Sequence, residues 1–376
     1  MANEPTGVLD LETRSACSIK ACGSWRYAQD PTTEVLCAAF RLPHWPQGVT
    51  GLWHPHFTHL GMRATAEWDL LEELFIWVEE GGLVESHNAA FEGAIWKYIL
   101  TPRHGWPVLP LVQRRCSAAK AAAHSLPRGL DDACAALTLP LRKDAAGHKV
   151  MMKLNKPRKP RKAERASGVT GLLWHESKEL FDQLFDYCKM DVLVEEALSA
   201  ALPDLSPAEQ ELYQLDQTIN ERGFRLDSSA IATALRLIQR ETILLNDELS
   251  TLTGGRVQRV TQRAQLQAWL ETEGLYLDDT QAATVDAYLD PACREPISDK
   301  ARQALTILRS LGRSSTAKYE SMAHWICPND RAHGCLVFHG ASTGRWTGAG
   351  PQPQNLPKGT LKNVAMEDVW DYLLSI

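Results

Sequence analysis

No apolar run in this 376-residue chain approaches the roughly 20 residues needed to cross a bilayer, so no membrane partner is expected. The opening segment, MANEPTGVLD, lacks a basic stretch followed by an apolar one, and no secretory signal is expected. CxxC spacing is also missing. The nine cysteines are odd in number and scattered, which argues against a disulfide framework and fits reduced thiols in a cytosolic protein. Charge of one sign is not in excess: the net charge is -6, so any polyanionic partner must be read from the local distribution of charge. No internal repeat is visible. What remains is ordinary for a soluble globular protein, with 44% hydrophobic and 23% charged residues and enough chain for two well-buried domains.

The first half alternates strand-like and helix-like segments, which predicts an α/β domain around a central sheet. GVLDLET and EVLCAAFRL read as strands. AEWDLLEELFIWVEEGG reads as a helix ended by Gly81 and Gly82, and LVESHN as a strand running into a helix that carries Phe91 and Glu92. Residues 142–165 hold ten Lys and Arg, and Pro157 and Pro160 exclude one continuous helix. This segment reads as an exposed, mobile loop that could track a nucleic-acid backbone or simply be solvated. A helix, ESKELFDQLFDYCKMDVLVEEAL, follows it. ALPDLSPAEQ reads as the boundary between domains 1–202 and 203–376.

The second half is mostly helical. Ile231, Leu235, Ile238, Thr242, Leu245, Leu249 and Leu252 form a narrow seam of alternating four- and three-residue steps, the pattern of a long helix packed on another. Further helices are expected near Gln262–Glu273 and Asp299–Trp325, and then a strand and a Gly- and Pro-rich loop.

Three patterns carry chemistry. Asp10 and Glu12 are two apart, so on a strand they share one face while Leu9 and Leu11 point to the other. Tyr187 and Asp191 are four apart and share a helix face, at the margin of the stripe Phe181, Leu184, Phe185, Cys188 and Val192. Asn88, Phe91 and Glu92 sit at a strand-to-helix junction. Each alone also fits a bland account: an exposed strand face, a core-edge tyrosine beside a solvated acid, and an N-cap with an acid in the first turn. Carboxylates gathered from distant segments repel unless a cation lies between them, and an all-oxygen donor set suits Mg²⁺ or Mn²⁺.

In order, interval and element type the three patterns resemble the exonuclease motifs of the DEDD family, in its tyrosine-bearing subclass. The resemblance implies a ribonuclease H-like fold and 3′→5′ removal of nucleotides. It implies that Asp10, Glu12, Glu92 and Asp191 hold two divalent ions and that Tyr187 orients the attacking water. It also implies that Asn88 and Phe91 bind DNA. The family's second motif normally supplies aspartate where Glu92 stands. Glutamate keeps the charge and adds a methylene, and Asn-x-x-Phe-Glu also occurs in phage-type members.

The segments LDQTINERGFRLD, GGRVQRVTQRAQLQAWL and ALTILRSLGRSSTAKYESM are similar to the thumb of family A DNA polymerases, nearest to the phage-encoded branch. GASTGRWTGAGPQPQNLP, at 340–357, looks like that family's TGR…QNLP segment. By that resemblance Arg345, Gln354 and Asn355 contact the primer–template, where a guanidinium fork and amides suit minor-groove acceptors. Glycines 344, 348 and 350 would allow close backbone approach. The fold class expected is thus an α/β ribonuclease H-like exonuclease domain followed by a mainly α-helical thumb-like region.

No palm aspartate motif or fingers helix is visible before the final MEDVWDYLLSI. The expectation is the exonuclease and thumb portion of a polymerase, from a split or truncated gene, with a separate chain carrying palm and fingers as a candidate partner. Two further readings stay open: an RNase D-like RNA exonuclease, and a non-catalytic primer–template-binding fragment. The resemblance further implies a monomer in the cytoplasm of a bacterial or phage-infected cell. His324, Cys327, His333 and Cys335 are too irregularly spaced for zinc to be expected.

Overall fold

The computed structural model describes residues 3–62, 67–312 and 314–356. Two compact units emerge: Met1–Arg225 with His324–Gln354, and Leu226–Ala323 with Asn355–Ile376. The boundary expected at 202/203 therefore falls inside the first unit, and a C-terminal segment returns to it.

The first unit runs β1 (Thr6–Arg14), α1 (Ile19–Ala28), β2 (Glu34–Arg41), β3 (Gly51–Trp53), α2 (Trp68–Glu79), β4 (Leu83–Ser86) and α3 (Ala89–Ile95). It continues with α4 (Thr101–His104), β5 (Arg114–Cys116), α5 (Ser117–Ala123), α6 (Leu130–Ala136), α7 (Ala145–Leu154), α8 (Lys162–Ala166), α9 (Lys178–Ala200), α10 (Pro207–Arg222) and β6 (Phe224–Arg225). The five strands β1 to β5 form one mixed sheet in the order β3-β2-β1-β4-β5. β2 is antiparallel to β1 and to β3, whereas β4 is parallel to β1 and to β5.

Alternation along β1 sorts its side chains as the period of two requires. Leu9 and Leu11 enter one core with Phe40, Leu42, Trp96 and Trp106. Val8 faces the other way, with Phe181, Leu184, Tyr187 and Cys188 of α9. Asp10 and Glu12 share the Val8 face, so the strand delivers both carboxylates toward α9.

Residues 142–165 correct the expectation of a loop, because they contain α7 and α8. The prolines do break the segment between the two helices. Asp144 caps α7 by accepting hydrogen bonds from the backbone N–H groups of Ala146 and Gly147, both at 2.9 Å. Val150, Met151 and Leu154 then pack into the core beneath α9, which gives this charged stretch its apolar face.

The second unit holds α11 (Ser228–Leu252), α12 (Arg263–Thr272), α13 (Ala282–Leu289), α14 (Asp299–Leu311) and most of α15 (Ser314–Trp325). The helical region expected near 299–325 holds two helices, the first ending at Leu311. Leu245, Leu249 and Leu252 of the α11 seam pack with Leu266, Trp269, Leu305 and Leu308. β7 (Arg331–Ala332), β8 (Leu336–Val337) and β9 (Thr347–Gly348) belong to the first unit.

Asn220 ties α10 to β8: its amide nitrogen donates to Leu336 O and its oxygen accepts from Leu336 N, both at 2.9 Å. The same nitrogen donates to Asp216 Oδ2 at 3.1 Å, as does Gln217 Nε2 at 2.9 Å, while Asp216 Oδ1 is buried without a partner. Burial pushes the Asp216 carboxyl up to about 7, despite those two hydrogen bonds. The folded state therefore holds this proton over a range where the unfolded chain, titrating near ~3.9, has lost it. Stability from this group falls as pH rises through that window and is lowest above the folded value. Asp216→Asn is expected to stabilise the protein by on the order of 2 kcal/mol near about pH 8, with the gain shrinking toward about pH 5. Urea unfolding at the two pH values checks this; an equal effect at both overturns it.

Candidate metal centre

Asp10, Glu12 and Asp191 come together: one oxygen from each lies within 4.8 Å of the others. β1 supplies two of them and α9 the third. A register shift in the β1–β2 ladder lies between Glu12 and Thr13, where Leu36 is the extra residue on β2. Such a bulge re-aims side chains at the end of a ladder.

The site is more enclosed than the sequence suggested. Tyr187 and Asp191 were expected at the margin of an apolar stripe, yet they are only 1% and 3% exposed. The reason is that α9 is covered on two sides, by the sheet and α7 on one and by α5 and α6 on the other. Burial pushes the Asp10 carboxyl up to about 6, with repulsion from Asp191 adding to it. Glu12 is pushed up for the same reasons, by burial and then by Asp10 and Asp191. Burial also raises Asp191, against the pull of Lys143. Cys188 donates its thiol to Asp10 Oδ2 at 3.4 Å. The cluster is thus short of positive charge, and its donors are all carboxylate oxygens, the set that suits a hard divalent cation.

Glu92 stands outside the group of three. It is buried in the first turn of α3, and its Oε2 has no hydrogen-bond partner. Burial and then Asp10 push its carboxyl well up. An orphaned carboxylate oxygen that feels the Asp10 charge fits a fourth ligand, although the four side chains do not converge as tightly as expected.

Asn88 occupies the N-cap position of α3 but makes no side-chain cap. Its backbone is left-handed, with φ 82°, a conformation that costs a non-glycine residue energy and recurs at functional junctions. Phe91 packs on Tyr27 with ring centroids 6.0 Å apart.

Two residues that sequence reasoning did not single out complete the geometry. Lys143 Nζ lies 2.6 Å from Asp191 Oδ2 and 5.5 Å from the centre of the Tyr187 ring. Gly147 lets α7 lie on that ring: a Cβ there would meet Tyr187 Cδ2 at 2.5 Å and Tyr187 Cβ at 2.7 Å. Gly147→Val is therefore expected to lose about 2 kcal/mol by overpacking. This is notable because replacing a helical glycine ordinarily gains stability. Thermal unfolding of the variant checks the sign.

Arg345 lies in the turn joining β8 to β9, its backbone carbonyl accepting from Ala341 N at 3.0 Å. Gln354 lies against Gly348, and Trp325 against Gly350, so two of the expected close approaches are made by the chain's own side chains. Gly344 and Gly350 have φ of 75° and 56°, which glycine permits. Asn355 falls in the other unit, and residues 357–376 lie outside the described residues. The zinc reading finds no support: His333 Nδ1 faces Glu221 O at 2.8 Å, while the Cys327 and Cys335 thiols donate to backbone carbonyls.

Fold and site together define an α/β domain carrying a cluster of three carboxylates, Asp10, Glu12 and Asp191. No family model matches the chain. It is 29% identical over 363 residues to the DNA polymerase of Bacillus phage SP02, a match covering 95% of this chain and 52% of that protein. Among solved structures, the chain resembles the POL domain of Pol1 from M. smegmatis in complex with DNA primer-template and dNTP. That likeness has a TM-score of 0.49 at 15% identity, over 93% of this chain and 53% of the other. The chain is homologous to a phage DNA polymerase, as its sequence motifs suggested, and spans about half that relative's length. Among the described residues no helix is long and apolar enough to cross a membrane.

Proposed function

We propose that the first unit is a ribonuclease H-like, two-metal 3′→5′ exonuclease that proofreads for a family A DNA polymerase, and that the chain binds primer–template DNA. The observation that carries this reading is the convergence of Asp10, Glu12 and Asp191 within 4.8 Å, with Tyr187 one helical turn before Asp191. The homology to a phage DNA polymerase points to DNA as the substrate.

Asp10, Glu12 and Asp191, with Glu92, would hold the two Mg²⁺ or Mn²⁺ ions. Bound there, such ions lower the pKa of water and stabilise charge on a leaving oxygen. Cleavage adds water to phosphorus and breaks the bond to the 3′ oxygen. One proton ends on that oxygen and the other leaves with the released 5′-mononucleotide. The Tyr187 phenol is held well above its usual range by burial and then by Asp191, so it stays protonated and orients water as a hydrogen-bonding group. Asn88 and Phe91, at the start of α3, would contact the DNA. Arg345, Gln354 and Asn355 would engage the primer–template.

Matched single-stranded DNA and RNA oligonucleotides, labelled at the 5′ end and incubated with Mg²⁺, test the reading. Stepwise shortening of DNA at least about 10-fold faster than RNA is expected. Preference for RNA would favour an RNase D-like enzyme. Binding of DNA with no shortening would leave a non-catalytic DNA-binding chain.

A further inference from the structure

Lys143 reaches the carboxylates because three separate contacts fix the chain around it. Arg142, the residue before it, makes a bidentate pair with Asp131, with Nε and Nη2 each 2.8 Å from a carboxylate oxygen. Asp144, the residue after it, caps α7. One turn further on, Gly147 seats α7 directly on the Tyr187 ring. Between these anchors the Lys143 ammonium lies 2.6 Å from Asp191 Oδ2. Its side chain remains 31% exposed against 3% for Asp191, so Lys143 is the more accessible partner of the pair.

We propose that Lys143 is a further catalytic residue of the nuclease centre, an ammonium that contacts the phosphate under attack. The inference rests on the nuclease reading of the same site. The ion pair with Asp191 is the resting position of this group. A phosphodiester entering the site brings another negative charge to a cluster already crowded with carboxylates. A cation fixed at its edge offsets that repulsion, and it gains strength as negative charge builds on the equatorial oxygens during attack. A lysine serves here as a point charge with rotatable donors, able to exchange a carboxylate oxygen for a phosphate oxygen without leaving its anchored backbone.

Lys143→Met and Lys143→Arg in the full chain test the proposal. Single-turnover release of the 3′ nucleotide is followed at saturating Mg²⁺ and DNA. Mn²⁺ affinity is measured separately by calorimetry without DNA. The expected result is a rate about 100-fold lower in Lys143→Met and recovered to within about 10-fold of the parent in Lys143→Arg. Mn²⁺ affinity should be unchanged or tighter, because a competing cation has been removed from Asp191. Lys143→Met turning over at the parent's rate overturns the proposal. So does a loss of Mn²⁺ binding that accounts for the lost rate, which would make Lys143 a structural support. A parent chain that binds Mn²⁺ but never shortens DNA removes the nuclease reading itself, and this proposal with it.

Discussion

Asp191→Ala and Asp10→Ala are each expected to reduce divalent-dependent release of 3′ nucleotides from single-stranded DNA by about 1,000-fold or more. The size follows from the donor set. Among the described residues three carboxylates converge within 4.8 Å, and removing one leaves too few oxygens to hold a pair of hard cations. Asp10→Asn is the sharper probe, since it keeps the shape and removes the charge. Burial and Asp191 already push Asp10 up to about 6, so above that value its ionised form costs the fold stability. In EDTA near about pH 8, Asp10→Asn should therefore melt no lower than the parent, and higher if the repulsion is as large as the shift implies. With Mn²⁺ added, the parent should gain and the variant should not, because only the parent binds the ion in its folded state. An inactive variant that still gains stability from Mn²⁺ would show that the ion binds elsewhere.

The parts of this site legible in the sequence were those with a local period. A spacing of two on β1 and of four on α9 pairs Asp10 with Glu12, and Tyr187 with Asp191, from the sequence alone. The register of Leu9 and Leu11 fixed which face they took. Nothing local, however, says that the two faces meet. That depends on α9 packing across β1 and β2, a contact between residues about 180 positions apart that only the assembled core determines. The burial of Tyr187 and Asp191 was missed for the same reason. Their helix presents an apolar stripe with polar margins, and the margins are buried because the sheet and α7 cover α9 on one side and α5 and α6 on the other.

Lys143 was hidden by its own neighbourhood. In a run rich in lysine and arginine, one ammonium looks like the next. Two prolines and the charge density suggested a solvated loop. The available signal was short: an aspartate able to cap, two alanines, a glycine, then Val150, Met151 and Leu154 at helical spacing. That pattern marks α7 correctly, but it does not reveal that its glycine faces a tyrosine. The placement of Glu92 outside the tight group was equally invisible, because a methylene's extra reach cannot be judged without knowing where α3 starts. The left-handed backbone of Asn88 sets that start.

Phe181→Ala should produce the largest loss of stability among simple truncations near the site. Its ring is fully buried, 4.4 Å from Phe57 and 6.1 Å from Phe185 between centroids, under the first turns of α9. Deleting such a ring removes its transfer energy and leaves a cavity, together about 3–5 kcal/mol. For a unit of this size that corresponds to a fall in Tm of about 10 °C. Asp191 lies ten residues further along the same helix, roughly 15 Å at the rise of an α-helix, so the carboxylates themselves are not displaced by the missing ring. Well below its new Tm the variant should keep nuclease activity within about 10-fold of the parent, and Phe181→Leu should restore most of the lost stability. Asp191→Ala should show the opposite pairing, with stability retained and activity gone. Differential scanning calorimetry beside single-turnover cleavage separates the two. If Phe181→Ala abolished cleavage while still folded, α9 would have to be shifting as a rigid rod, and the carboxylate geometry would depend on core packing far more than the ion pair, the bulge and the seat of α7 on Tyr187 imply.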